Sequence, residues 1–363
     1  MAKRVSVDKT LFIVTLLLVF MGLVMVFSAS AVVAKERAGS PYNLVLRQSV
    51  WAMAGVLAMF VFMRLDYRRL KNPGMVFALL GITSLLLVSV FFLDRSHNTH
   101  RWILLWIFSF QPSELAKPAV ILFLAYWLET RTKTMDDWRR TLLPAVMPVL
   151  AFCALVLAEP DLGTSVALGV IAVSMLYVAG MRWRYFAVGL APALLVLGGF
   201  IWFVPFRRQR VLAFLDPYGD PQKTGFHMIQ SLIAVGTGGV AGMGLMEGKQ
   251  KLFFLPEAQT DFIFAVTAEE LGLIGSLFLL VLFALFMYRG VRAAVLSRDP
   301  FARFLATGIT TMVGVQALIN MSVVLGMMPT KGIPLPFISY GGSSLFFTLV
   351  SVGVLLNITQ HAD

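Results

Sequence analysis

Lys251-Leu-Phe-Phe-Leu-Pro-Glu257-Ala-Gln259-Thr-Asp261 runs directly into Phe262-Ile-Phe-Ala-Val-Thr-Ala-Glu269-Glu270-Leu-Gly272. A polar segment holding a lysine, two acids and a glutamine becomes an apolar helix within a few residues. The apolar run then continues for about 20 residues, enough to cross a bilayer. The stretch therefore marks a water–membrane boundary, and Asp261 stands on it. A carboxylate in that place is poorly solvated, costs free energy and calls for a functional reason. Poor solvation also raises a carboxyl's pKa and makes it a better proton acceptor. The plainer reading is a helix cap, with Asp261 satisfying orphan amides of the next helix.

Working outward, the chain of 363 residues is 58% hydrophobic and only 13% charged. Apolar runs recur from end to end, which predicts an all-α polytopic membrane protein forming one integral-membrane domain over residues 1–363. A soluble fold of this length has no core large enough to hide them. The net charge of +11 is compatible with nucleic acid, but the basic residues fall in short clusters between apolar spans, as topology signals do, so no nucleic-acid partner is expected. Cys153 is alone inside an apolar span, and His97, His100, His227 and His361 are scattered, so neither thiolate nor imidazole metal spacing exists. Lys3, Arg4 and Lys9 precede the first apolar run, which is longer than a signal-peptide core and is read as a retained helix.

Ten spans are predicted, at 10–32, 46–63, 74–93, 113–128, 142–158, 163–180, 186–204, 262–287, 303–326 and 343–358. Arg64, Arg68, Arg69, Lys71, Arg131, Lys133, Arg139, Arg140, Arg182, Arg184, Arg289, Arg292, Arg298 and Arg303 then share one side with the N-terminal lysines. That bias places both termini in the cytoplasm. Residues 205–261 become a long basic outer loop between spans 7 and 8, expected to carry amphipathic or re-entrant helices. Its glycine-rich piece, Gly236-Thr-Gly-Gly-Val-Ala-Gly-Met-Gly244, has no Walker motif after it and is read as a close-packing element.

Other outer segments are just as irregular. They are Arg101-Trp102, Phe110-Gln-Pro-Ser-Glu114-Leu-Ala-Lys117, Glu159-Pro-Asp161-Leu-Gly-Thr164 and Pro329-Thr-Lys331-Gly-Ile-Pro-Leu-Pro-Phe-Ile-Ser339-Tyr-Gly-Gly-Ser343-Ser344. Irregular backbone near a membrane is tolerated only where protein or a wet cavity covers it. Such segments gathered on one side predict an outward-facing polar cavity.

Those motifs, together with Phe214-Leu-Asp-Pro217 and Gly22-Leu-Val-Met-Val-Phe-Ser-Ala-Ser30, stand in the order found in one family. The chain resembles the SEDS proteins (shape, elongation, division and sporulation), among them FtsW, RodA and SpoVE, and is most similar to the FtsW and SpoVE branches. Gln259 departs from the family pattern, which has His before Thr-Asp. The resemblance implies a ten-helix peptidoglycan glycosyltransferase of the bacterial cytoplasmic (inner) membrane. Its substrate is lipid II, the undecaprenyl-diphosphate-linked disaccharide-peptide. Its partners are a class B penicillin-binding protein, other divisome or elongasome membrane proteins, and membrane lipids.

Such chemistry needs a base for the acceptor 4-hydroxyl and cations for the departing diphosphate. Asp261 is the candidate base. Lys251, Arg210, Lys331 and Arg101 are candidate diphosphate contacts, with binding of anionic lipid headgroups as the alternative. Glu257 is either an acid behind Asp261 or a solvated cap. Ser339 and Ser343 stand with the substrate-lining residues, although their hydroxyls can equally satisfy local backbone. Glu114 and Lys117 are read first as an intramembrane ion pair and second as cavity lining. Glu159 and Asp161 either hold loop amides or line the cavity, and at least one of Glu269 and Glu270 is expected to face the interior. A divalent cation, Mg or Mn, can share the work, but no metal ligand is assigned. Two rivals remain at this level: a flippase for the same lipid, which needs a midplane site and inverted halves, and a non-catalytic scaffold.

Overall fold

The computed structural model describes residues 7–93, 101–105, 108–135, 137–252, 254–330 and 332–361. Its helices are α1 (Lys9–Ala38), α2 (Asn43–Arg64), α3 (Pro73–Leu93), α4 (Pro112–Glu129), α5 (Leu143–Ala158), α6 (Leu162–Val178), α7 (Trp183–Trp202), α8 (Pro205–Leu215), α9 (Phe226–Gly238), α10 (Ile263–Leu296), α11 (Pro300–Val324) and α12 (Gly342–Thr359). Each apolar run of the sequence coincides with one of these helices, and α8 and α9 fold inside the expected loop. Among the described residues, seven helical segments are long and apolar enough to cross a membrane. Of the other three, α4 carries Glu114, Lys117 and Glu129, α6 has 17 residues, and α7 runs unbroken over 20 residues with Pro192 inside it.

One feature departs from an all-α chain. Strands β1 (Ile103–Leu105) and β2 (Phe108–Phe110) pair antiparallel with Ile103 opposite Phe110. Pairing satisfies the backbone of these two short stretches before α4 begins.

Helix starts follow the aspartates. Asp8, Asp161 and Asp299 accept from the amides of Leu11, Thr164 and Phe301, each cap contributing about 1 kcal/mol. Helix α2 packs along α12, α10 along α11 and α9, and α4 along α3 and α11. Helix α11 is buried along most of its length, whereas Phe20, Leu85 and Leu195 are 64%, 72% and 77% exposed. Outward-facing apolar side chains around a buried centre suit hydrocarbon as the solvent.

Helix α10 breaks at Gly272, where φ is +65° and ψ −161°. An unbroken helix would bond the Leu273 amide to the Glu269 carbonyl and the Ile274 amide to the Glu270 carbonyl. Instead Leu273 and Ile274 donate to the carbonyls of Gly239 and Val240, at 2.9 and 3.2 Å. The freed carbonyls of Glu269 and Glu270 accept from Met243 and Gly244, both at 3.0 Å. Residues 239–244 thus insert into the helix and satisfy all four groups, as irregular backbone in a membrane requires. Glycine permits the approach: a Cβ at Gly238 would lie 1.9 Å from the Ala268 carbonyl oxygen, and one at Gly242 2.1 Å from that of Glu270. The glycine-rich piece is a packing element.

Candidate active site

The N-terminal ends of α4, α6, α10 and α12 converge on one end of the bundle. Around them lie three adjoining hollows of about 320, 450 and 300 Å³, and Asp261 and Gly332 border all three. A helix N-terminus carries partial positive charge and unsatisfied amides, so four of them make this end attractive to anions.

Asp261 precedes Phe262, which occupies the N-cap position of α10 and offers no side-chain acceptor. Capping therefore does not account for the aspartate. Its backbone carbonyl accepts from Asn320 Nδ2 at 2.8 Å, and its neighbours are held too. Ser339 Oγ donates to the Thr260 carbonyl at 2.5 Å, and the Tyr340 amide donates to the Gln259 carbonyl at 2.9 Å. Gly332 passes so close that a Cβ there would lie 2.7 Å from Asp261 Oδ2. Burial first, then the charges of Glu257 and Asp161, push the Asp261 carboxyl up from 3.8 to about 7, while Arg210 and Arg101 pull the other way. At neutral pH the group sits near the midpoint of its titration, where a base works best.

Cations surround it. Arg101 borders two of the hollows and is anchored by donating from Nε to the Glu159 carbonyl at 3.0 Å and from Nη2 to that of Pro160. Arg210 lies between two of the hollows, with Nη1 3.5 Å from the Thr330 carbonyl. Arg207, one of the basic residues of the 205–261 segment, joins them over the Phe200 ring at 4.3 Å. The wall near Arg207 and Arg210 also contains Leu162, Ile201, Val204 and Val211, so cations and apolar surface stand side by side. Lys331 lies outside the described residues; its neighbours Thr330 and Gly332 line the cavity.

Glu257 is exposed on the rim, in a left-handed conformation with φ +54°, and accepts from Thr260 Oγ1 at 3.2 Å. Asp161 caps α6 and also borders two hollows, so both readings of it hold. Glu159 is fully buried, its carboxylate has no hydrogen-bond partner among the described residues, and burial followed by Asp161 pushes it up to about 8. It is therefore neutral at pH 7. Glu114 and Lys117 form the expected buried ion pair at 2.7 Å, with Glu114 also bordering a hollow. Ser343 Oγ is buried at the cavity without a hydrogen-bond partner among the described residues.

Two expected contacts are corrected. Lys251 does not reach the cavity: its Nζ is buried 2.6 Å from Glu270 Oε1, because the inserted segment carries it into the interior. Ser339 spends its hydroxyl on backbone, accepting from the Leu335 amide at 2.8 Å besides donating to Thr260. Both Glu269 and Glu270 face inward.

His227 escaped notice as one of four scattered histidines. It stacks on Phe262 with centroids 6.0 Å apart and borders a hollow with Lys223. Burial and then Arg210 hold its pKa below the ordinary value, so it is neutral at pH 7. Its place at the start of an amphipathic loop helix was the available signal. Among the described residues no three His, Cys, Asp or Glu side chains converge as a cage for an ion. The residues here do not fit a dedicated metal site, and no step below runs through one.

The family model described as a cell cycle protein, covering FtsW, RodA and SpoVE, matches residues 8–363. A probable peptidoglycan glycosyltransferase FtsW of Geobacter metallireducens is 43% identical over 355 residues, covering 98% of this chain and 95% of that protein. Stage V sporulation protein E of Bacillus subtilis is 42% identical over 364 residues, covering 99% of each. Among solved structures, a chain from a peptidoglycan synthase complex that coordinates polymerization and crosslinking matches with a TM-score of 0.79 at 34% identity, covering 99% of this chain and 100% of that one. The rod shape-determining protein RodA of Thermus thermophilus matches at 0.71 and 30%, covering 99% and 98%.

Proposed function

This chain belongs to the FtsW/RodA/SpoVE family, and from that premise we propose that it polymerises lipid II into glycan strands with Asp261 as general base. It is an integral membrane protein and a peptidoglycan glycosyltransferase. The ten helices that coincide with the predicted spans are ten crossings of the bacterial cytoplasmic membrane, with both termini in the cytoplasm and the cavity facing out.

The observation that carries the proposal is the Asp261 carboxylate, which borders all three hollows, with Arg101, Arg207 and Arg210 each lining at least one of them. The acceptor 4-hydroxyl oxygen forms a bond to the anomeric carbon of the donor sugar. Its proton passes to Asp261. The bond from that carbon to the diphosphate oxygen breaks, and the electron pair leaves with the diphosphate. The arginines and helix N-termini lower the energy of that developing anion. One carboxylate suffices when the anomeric configuration inverts, because no covalent intermediate then forms.

The apolar wall beside Arg207 and Arg210 suits the first isoprene units of a lipid diphosphate. Hydroxyls and amides at the Tyr340–Ser344 turn suit a sugar. A class B penicillin-binding protein supplies the crosslinking partner, and other divisome or elongasome membrane proteins complete the assembly, in division, sporulation or elongation. The test is glycan formation from lipid II in liposomes, with that partner present. Polymer is expected. Lipid II crossing the bilayer without polymer would replace this reading with a flippase.

A further inference from the structure

We propose that Lys251 and Glu270 form a positioning lock that sets the height of Asp261 at the cavity floor; this rests on the reading of Asp261 as the base. The two residues lie outside the cavity, and the chemistry above does not use them. Glu270 lies two residues before the break in α10, and Lys251 reaches it from the loop that precedes the helix. Lys251 Nζ is 2.6 Å from Glu270 Oε1 and 3.0 Å from Ser28 Oγ of α1. Ser28 Oγ donates to the Glu270 carboxylate at 2.6–2.7 Å, and the Met246 amide donates to Oε2 at 3.1 Å. Glu269 accepts beside them from the amides of Lys249 and Gln250, at 2.8 and 3.2 Å.

The break explains why a lock is needed there. Beyond Gly272 the half-helix 263–271 has lost the two hydrogen bonds that would hold it in line with the rest of α10. Its position depends on the inserted residues 239–244 and on the bonds that Met246, Lys249, Gln250 and Lys251 make to Glu269 and Glu270, and Asp261 stands at its head. From Lys251 the chain reaches Asp261 in ten residues that contain the strained Glu257. A non-glycine residue held at positive φ persists only where its surroundings over-determine it. Lys251 fixes the start of that stretch, and Ser339, Tyr340 and Asn320 fix its end. Loosening the start moves the base without removing any group that touches substrate, so the rate falls while binding stays.

Lys251→Met and Glu270→Gln test this in the full chain in liposomes, with hydrogen exchange read beside kinetics. Each variant is expected to speed amide exchange across residues 252–262 about tenfold or more, with α12 unchanged. Each is also expected to lower kcat about tenfold or more with KM within about twofold, since misplacing a reacting group has that effect. If a single variant leaves a buried charge and does not fold, Lys251→Met/Glu270→Gln removes both charges and carries the same expectation. Parental exchange with parental kcat in any folded variant overturns the lock. So does a raised KM with unchanged exchange, which would make Lys251 a substrate contact. A parent that makes no polymer while the variants still show the exchange response leaves the lock standing and removes the polymerase reading.

Discussion

Asp261 is under two opposed pulls, and their signs can be measured separately. Glu257 raises its pKa and Arg210 lowers it. Glu257→Gln is therefore expected to move the acid limb of the polymerisation rate below pH 7, and Arg210→Gln to move it above. Shifts in the same direction would contradict the electrostatics drawn here. The raised pKa also has a stability consequence. The folded state binds the Asp261 proton more tightly than the unfolded state, so stability falls as pH rises from 3.8 through about 7 and is flat above. Asp261→Asn has no such loss. Its melting temperature is expected to exceed the parent's at pH 8 and to match it near pH 4; the reverse order would show that the carboxylate is stabilised by its surroundings. The sequence singles this residue out as a carboxylate at a water–membrane boundary, and leaves base and helix cap as alternatives until the family resemblance enters. It could not locate Arg207 or His227, whose charges look like any others in a basic loop until α8 and α9 fold them over the cavity.

At the scale of elements, the insertion of residues 239–244 into α10 is the feature that most shapes the site. Gly238→Ala drives a Cβ into the Ala268 carbonyl and is expected to cost about 1–3 kcal/mol by overpacking. Gly236→Ala meets open space in the same helix and is expected to be neutral or to gain up to about 1 kcal/mol. Thermal unfolding in detergent distinguishes them, and equal losses would mean that the insertion is not close-packed. The Glu114–Lys117 pair makes a second element-scale test. Lys117→Met alone is expected to cost about 3–5 kcal/mol, and Glu114→Gln/Lys117→Met clearly less, because the single change strands a buried charge. That pair was readable from its spacing on one helix face. The Lys251–Glu270 pair was not, since its partners lie 19 residues apart and meet only because a helix is broken. Reading Lys251 as a cavity residue followed from its neighbours in sequence, whereas the inserted loop decides its neighbours in space.

For the whole molecule, the alternation of spans brings four helix N-termini to one end, and that end carries the irregular motifs. Apolar length placed a helix at each expected span, with most ends within a few residues and the end of α10 nine residues further on, at Leu296. The β1–β2 pair was missed because strands of three residues carry no readable period. Orientation is tested with single cysteines in a Cys153→Ala background. Gln222→Cys is expected to react with an impermeant maleimide from outside intact cells, and Arg298→Cys only after permeabilisation. The opposite labelling would turn the cavity toward the cytoplasm and away from an external glycan product.

The account's central claim is that one carboxylate takes the proton of the attacking hydroxyl. The measurement that meets it most directly is the rate of glycan polymerisation from lipid II, as a function of pH, for the parent and Asp261→Asn in liposomes with the penicillin-binding partner. The parent is expected to lose rate on acidification with a midpoint near the Asp261 value of about 7. Well-folded Asp261→Asn is expected to be slower by about 10²–10⁴ and to lack that limb. A folded Asp261→Asn that polymerises at the parental rate, with the limb intact, would contradict the claim.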